Sequence, residues 1–200
     1  LRIVGGRLGG RRLATPRGAS VTRPTAERVR EAIASALEAR DRIEGAVVLD
    51  LFAGTGALAF EAISRGAVRA VLVDRDAAMV RAMRESAKEL GIEREVQVIS
   101  LDLERDPSSW IPRVPDGPFD LVFLDPPYLR VDRAMIALDA LARSGKLRPG
   151  ATAVIEHARR QPPTLPQGFG EIAAYRYGDT AVILCAAPSS HDDPDPRGSP

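Results

Sequence analysis

The chain is short of the residues that would mark several common classes of protein. One cysteine, Cys185, stands among 200 residues, so no disulfide can close within the chain. It lies in an apolar run and reads as a small buried hydrophobe. The two histidines, His157 and His191, are far apart, so no zinc-ligand spacing exists and no metal is expected. No apolar stretch reaches 18 residues and no signal-peptide core opens the chain. A soluble, cytoplasmic protein without a membrane partner is the expectation. Leu1 stands where Met would open a chain, which fits a trimmed start or an alternative codon read literally; the residues leave both open. Aromatics are only 4 %, so aliphatic side chains must build the core. The formal charge of +1 points to no particular partner.

The charge is not evenly spread. Residues 1–30 hold eight arginines (2, 7, 11, 12, 17, 23, 28 and 30) against one acid, Glu27. Basic amino-terminal arms meet nucleic acid, so Arg2, Arg11, Arg12, Arg23, Arg28 and Arg30 are candidate RNA contacts. Residues 1–21 read as a basic extension in which Ile3-Val4 and Arg12-Leu13-Ala14 pair as a hairpin. Without a core of its own it must lean on the main domain or on a partner. Residues 22–186 form that domain. The tail, 187–200, is rich in Pro, Ser, Asp and Gly and is expected to be disordered.

Within the main domain, strands and helices alternate. Thr25 caps a helix over about 26–40, with Val29, Ile33, Ala36 and Leu37 on one stripe. Strands are expected at 47–51, 68–73, 96–99, 119–124 and 152–156, with helices at about 57–65, 76–90 and 133–143 between them. Residues 104–118 read as a loop with one helical turn, and Trp110 as packing. A closing hairpin, 171–177 with 180–185, turns at Gly178-Asp179. That pattern gives an α/β fold with a mostly parallel sheet covered on both faces and an antiparallel element at one edge.

Four acids fall at the ends of successive strands: Asp50, Asp74, Asp102 and Asp125. Open α/β sheets bind ligands at that edge. After the first strand, Gly54-x-Gly56-x-x-Ala59 permits a tight turn and a close approach of backbone to ligand. Asp50 beside it would repel a pyrophosphate but suits an ammonium or sulfonium group, as in S-adenosylmethionine. Asp74, 18 positions past Gly56, matches the ribose-binding acid of nucleotide folds. Asp102 could accept an adenine amine while a neighbouring backbone N–H serves the ring. Met79 and Met83 on the following helix read as core.

The fourth strand ends in Asp125-Pro126-Pro127-Tyr128. The prolines make a stiff elbow. Asp125 and the Pro126 carbonyl can accept both N–H bonds of an exocyclic amine and turn its delocalised lone pair out of the ring plane. Tyr128 can stack on the ring, worth about 1–3 kcal/mol. The chemistry indicated is methylation of an amine on a planar ring.

The residues resemble a known family, the bacterial 16S ribosomal RNA guanine-N2 methyltransferases of the RsmD type. The matching segments are Arg2–Gly6, Thr22–Glu31, Asp50–Leu58, Glu61–Ala67 and Asp125–Tyr128. The Arg-Pro-Thr helix entry followed by Arg-Val-Arg-Glu is the most specific of them. The resemblance implies a Rossmann-like, seven-stranded class I methyltransferase fold with a small amino-terminal hairpin. It implies S-adenosyl-L-methionine as donor and the N2 amine of one guanine in 16S ribosomal RNA as acceptor, within an assembling or assembled small ribosomal subunit. By the same resemblance, Asp50, Phe52, Gly54, Gly56, Asp74, Arg75, Asp102 and Leu103 form the cofactor site, and Asp125, Pro126, Pro127 and Tyr128 the catalytic one. Three other readings compete: an amine methyltransferase for adenine in DNA or for a protein glutamine amide, a nicotinamide dehydrogenase, and an RNA-binding module without catalysis. Asp50 speaks against the dehydrogenase, and a binding module would not need the four acids.

Overall fold

A computed structural model describes residues 1–16, 24–127 and 130–189, with the side chains of 24–26 excepted. The Thr25 cap, Arg23, Tyr128 and the tail from 190 onward lie outside the described residues. The main domain runs α1 (Pro24–Glu38), β1 (Val47–Leu51), α2 (Ala57–Ser64), β2 (Arg69–Asp74), α3 (Ala77–Leu90), β3 (Val96–Ser100), α4 (Pro107–Trp110) and β4 (Phe119–Leu124). It then continues through α5 (Val131–Arg143), β5 (Leu147–Ala158), β6 (Gly170–Tyr177) and β7 (Thr180–Ala186). These strands make one seven-stranded sheet in the order β3-β2-β1-β4-β5-β7-β6. The first five are parallel, and β7 joins β5 and β6 antiparallel.

Two differences from the sequence reading have physical causes. The first helix begins at Pro24, earlier than expected, because proline's fixed φ and missing N–H suit a helix's first position. The fifth strand is 12 residues long, because β7 pairs with it from Thr152 to Ala158 while its start at Leu147 reaches Phe119 of β4.

The sheet separates two apolar layers. One holds Ile33 and Leu37 of α1, Phe60 and Ile63 of α2, and Met83 of α3. The other holds Trp110 of α4 and Leu138 and Leu141 of α5, against Leu49, Val71 and Val122. Trp110 is a packing residue, 2 % exposed. Cys185 is buried too, and burial pushes its thiol up to about 12, so it stays neutral.

The amino-terminal segment is docked, not free. Arg2 and Arg12 form an antiparallel bridge, and Ile3, Leu8 and Leu13 enter the first core layer. Glu61 of α2, 2 % exposed, accepts the Val4 N–H at 2.7 Å and the Gly5 N–H at 2.8 Å. The same carboxylate takes the Arg65 guanidinium at 2.8 Å. Ser64 Oγ accepts the Leu8 N–H at 2.9 Å, and Ser86 Oγ the Ala14 N–H at 2.9 Å. One buried carboxylate thus satisfies two backbone donors and balances one cation. We expect Glu61→Ala to strip those partners at once and to cost about 3–5 kcal/mol, the scale for breaking a buried charge pair. Urea unfolding checks this, and limited trypsin digestion should cut after Arg7 or Arg11 in the variant first. Unchanged stability would mean that apolar contacts alone hold the segment.

Candidate active site

The carboxyl edge of the parallel strands carries a cavity of about 430 Å³. It opens between the turn after β1, the start of α3 and the residues that follow β3 and β4. Each wall follows from local structure. The turn after β1 reverses the chain with left-handed backbone at three alternate positions: Phe52 at φ 60°, Gly54 at 55° and Gly56 at 75°. A side chain at Gly56 has no room, since an added Cβ would lie 2.5 Å from Leu72 Cδ2. At Gly54 no atom stands within 4 Å of such a Cβ, and the residue lines the cavity. Phe52 has a side chain and still adopts the left-handed region, a strain of about 1–3 kcal/mol of the kind found at ligand sites.

Asp74 at the end of β2 fixes this turn. One of its oxygens accepts the Gly54 N–H at 2.8 Å and the other the Asp76 N–H at 2.8 Å. Each oxygen has capacity for a further hydrogen bond, and Asp74 lines the cavity. Asp76 then caps α3 by accepting the Ala78 N–H at 2.7 Å. At the far end of the cavity Asp102 accepts the Glu104 N–H at 3.2 Å. Arg75 bridges the two acids, 3.6 Å from Asp102 and 2.7 Å from Glu104. Leu103 lines the cavity beside them, and Asp125, Pro126 and Pro127 close the opposite end.

Asp50 and Gly56 stand apart from the other predicted residues, beneath the cavity wall and not on it. Asp50 is 2 % exposed and accepts the Ala59 N–H of α2 at 3.3 Å. Burial, and then the charges of Asp125 and Asp74, hold its carboxyl well above the usual range.

Strand alternation explains how these acids meet. Val48, Leu72, Phe123 and Val154 all point into the first core layer. Asp50, Asp74, Asp125 and Glu156 each lie two residues further along, on the same face. Asp50 pairs with Leu72 and Phe123, so Asp74 and Asp125 stand two residues nearer the edge, about 7 Å above it. Leu124 pairs with Ile155, which puts Glu156 beside Asp125 at that upper level. Asp125 has surface open to the cleft, yet protein surrounds it on most sides, and that surrounding mass raises its carboxyl to about 6. Glu156 is raised to about 8, by burial first and by the Asp125 charge second. The charge on Asp125 therefore bears on how Glu156 titrates. The arrangement is a negative well. It suits a ligand that carries or develops positive charge.

Three residues escaped the sequence reading. Glu156 closes the fifth strand expected from the sequence, and its position two residues past Val154, as Asp125 is past Phe123, was the signal. Met79 was read as core, but it is half-buried and lines the cavity, because the first turn of a helix after β2 faces the ligand edge. Glu104 gave no signal of its own.

The arginines divide. Arg2 is ion-paired with Glu27 at 2.9 Å, and Arg11 donates to the Glu89 carbonyl at 2.8 Å. Arg30 is 7 % exposed and donates to the Arg2 carbonyl at 3.1 Å, so it braces the amino-terminal segment. Arg12 and Arg28 are exposed.

Comparison with known proteins gives concordant matches. The family described as "Conserved hypothetical protein 95" matches residues 1–186. The Bacillus subtilis protein YlbH is 33 % identical over 187 residues, 92 % of this chain and 97 % of that one. "Ribosomal RNA small subunit methyltransferase D" of Haemophilus influenzae is 31 % identical over 173 residues, 84 % of each chain. The solved structure of yhhF from Escherichia coli superposes with a TM-score of 0.79 at 29 % identity, covering 94 % of this chain and 98 % of that one. A Salinibacter ruber RNA methyltransferase, solved with S-adenosyl-L-homocysteine, shares the fold at 22 % identity and a TM-score of 0.60, over 88 % of this chain and 97 % of that one. The seven-stranded α/β sheet is that of the class I methyltransferases.

The acid pair makes stability depend on pH. Both carboxyls have folded pKa values raised above their unfolded ones, so their stabilising share is complete below about pH 4. It is lost as pH rises through about 6 and about 8. Without ligand, the melting temperature should therefore fall between pH 5 and 9, and Glu156→Gln should flatten that fall. Parallel melting curves for the two proteins would show that the acids do not interact.

Proposed function

The chain belongs to the family described as conserved hypothetical protein 95, the RsmD type, and from that premise we propose that it methylates the N2 amine of a guanine in 16S ribosomal RNA with S-adenosyl-L-methionine as donor. The observation that carries this reading is the placing of the Asp125-Pro126-Pro127 elbow at one end of a nucleoside-sized cleft lined with carboxylates. The Haemophilus influenzae relative's name supports ribosomal RNA of the small subunit as substrate. The ligand of the Salinibacter ruber neighbour supports the donor.

The residues present fit that donor. Asp74 keeps free lone pairs for ribose hydroxyls, Gly54 leaves open space for close approach, and Asp102 with Leu103 stands where an adenine would lie. The carboxylate row favours a ligand with ammonium and sulfonium charge. S-adenosylmethionine, when bound, supplies an electrophilic methyl group. Asp125 accepts one N–H of the guanine amine and the Pro126 carbonyl the other, which orients the nitrogen lone pair. No strong base is needed, because the neutral amine attacks and its proton leaves afterwards. The negative well lies where the nitrogen gains positive charge, and positioning and electrostatics do most of the work. Tyr128, outside the described residues, is assigned to stacking on the guanine from the sequence pattern. Arg12, Arg23 and Arg28 are assigned to RNA; Arg2, Arg11 and Arg30 have structural partners already.

Asp125→Ala should lower the single-turnover rate by about 10²–10³, the loss expected for one electrostatic partner of the reacting group. The assay is radiolabelled methyl transfer to small subunits lacking the modification, followed by nucleoside analysis for N2-methylguanine. Affinity for S-adenosylhomocysteine, which lacks the sulfonium charge, should change little by calorimetry. Label in another nucleoside, or in protein, would refute the guanine assignment; near-normal rates would refute the elbow's role.

A further inference from the structure

A second cavity, about 460 Å³, lies on the α5 side of the molecule. Val131, Met135 and Ile136 of α5 form one wall, and Pro162 and Pro163 of the loop after β5 form the other. Asp132 and Gln161 add polar groups at its margin. Ile136 is 45 % exposed there, one of three large apolar side chains so exposed among the described residues. Four exposed arginines border this groove in sequence: Arg130 and Arg133 around the start of α5, and Arg159 and Arg160 immediately before Gln161. The side chains of Arg133, Arg159 and Arg160 have no hydrogen bond or ion pair among the described residues. Among the described residues the Arg130 side chain reaches only Glu104, at 3.7 Å.

The described amino-terminal segment offers phosphate fewer unpartnered guanidinium groups, Arg12 chief among them. There Arg2 and Arg7 are ion-paired with Glu27 and Glu95, and Arg11 is held by a carbonyl. A phosphate would have to displace those partners. Around the α5 groove it would not. The groove is also close to the elbow: Val131 follows Pro127 by four residues, a reach of at most about 14 Å.

We propose that this groove binds the single-stranded RNA flanking the target guanine, with a neighbouring base against Met135, Ile136 and the two prolines and its phosphates on Arg133, Arg159 and Arg160. The inference rests on the function proposed above and adds the surface that holds the substrate. The chemistry favours RNA over a protein partner. Flat aliphatic walls accept the face of any base, Asp132 and Gln161 can meet base-edge amines, and unpaired guanidinium groups attract a polyanion.

The test is equilibrium binding of free 16S ribosomal RNA, lacking the modification, across a salt series. Arg133→Glu with Arg160→Glu should weaken binding and make the dependence of log K on log salt shallower by about 1.4, from two lost contacts to a single strand. Ile136→Ala should weaken binding with the slope unchanged. Both proteins should keep the melting temperature and the S-adenosylhomocysteine affinity of the parent. Unchanged RNA affinity and slope in the double variant would overturn the groove while leaving the methyltransferase reading intact. A loss seen with assembled small subunits but not with free RNA would assign the surface to a protein, and overturn it as well. A parent protein that binds neither free RNA nor small subunits would overturn both readings.

Discussion

The fold places like charges where they repel. Four strands end together on one face of one sheet, and three of them deliver a carboxylate to the same level. Adjacent strands stand about 4.8 Å apart, so full charges on Asp125 and Glu156 would repel by about 3 kcal/mol before water in the cleft screens them. Burial raises both carboxyls, and the Asp125 charge raises Glu156 further, so protonation relieves that repulsion in the free protein. A cationic ligand relieves it in another way. The same feature that weakens the empty protein is the one that selects what fills it.

The surrounding structure holds the acids in place. The β1 turn is fixed by the Asp74 carboxylate, by the left-handed glycines and by the strained Phe52. Asp50, deeper in the sheet, takes the Ala59 N–H and so ties α2 to β1. Hydrogen bonds to backbone amides keep these side chains oriented despite their mutual repulsion.

Much of this was legible in the residues. Alternating apolar runs and glycine stops marked the strands and helices, and the spacing from Gly56 to Asp74 marked the second wall of the cleft. What escaped depended on tertiary placement. Met79 and Met83 are one helical turn apart and look alike in sequence, yet one lines the cleft and the other is fully buried. The arginine-rich start read as a set of RNA contacts because a sequence does not show that Glu27, Glu61 and Glu95 would answer several of its donors and charges. Glu156 became meaningful only once strand register set it beside Asp125.

Helix α2 has only eight residues, and both ends of its work are committed. Its first turn grows from the glycine bend that shapes the cleft, and its Ala59 N–H reaches Asp50. One turn later Glu61 grips the amino-terminal segment. So short a helix has no independent stability. Through these hydrogen bonds the helix ties the segment to the bend. The amino terminus therefore acts as a strut for the cleft, and residues far from any ligand help set how long that cleft keeps its shape.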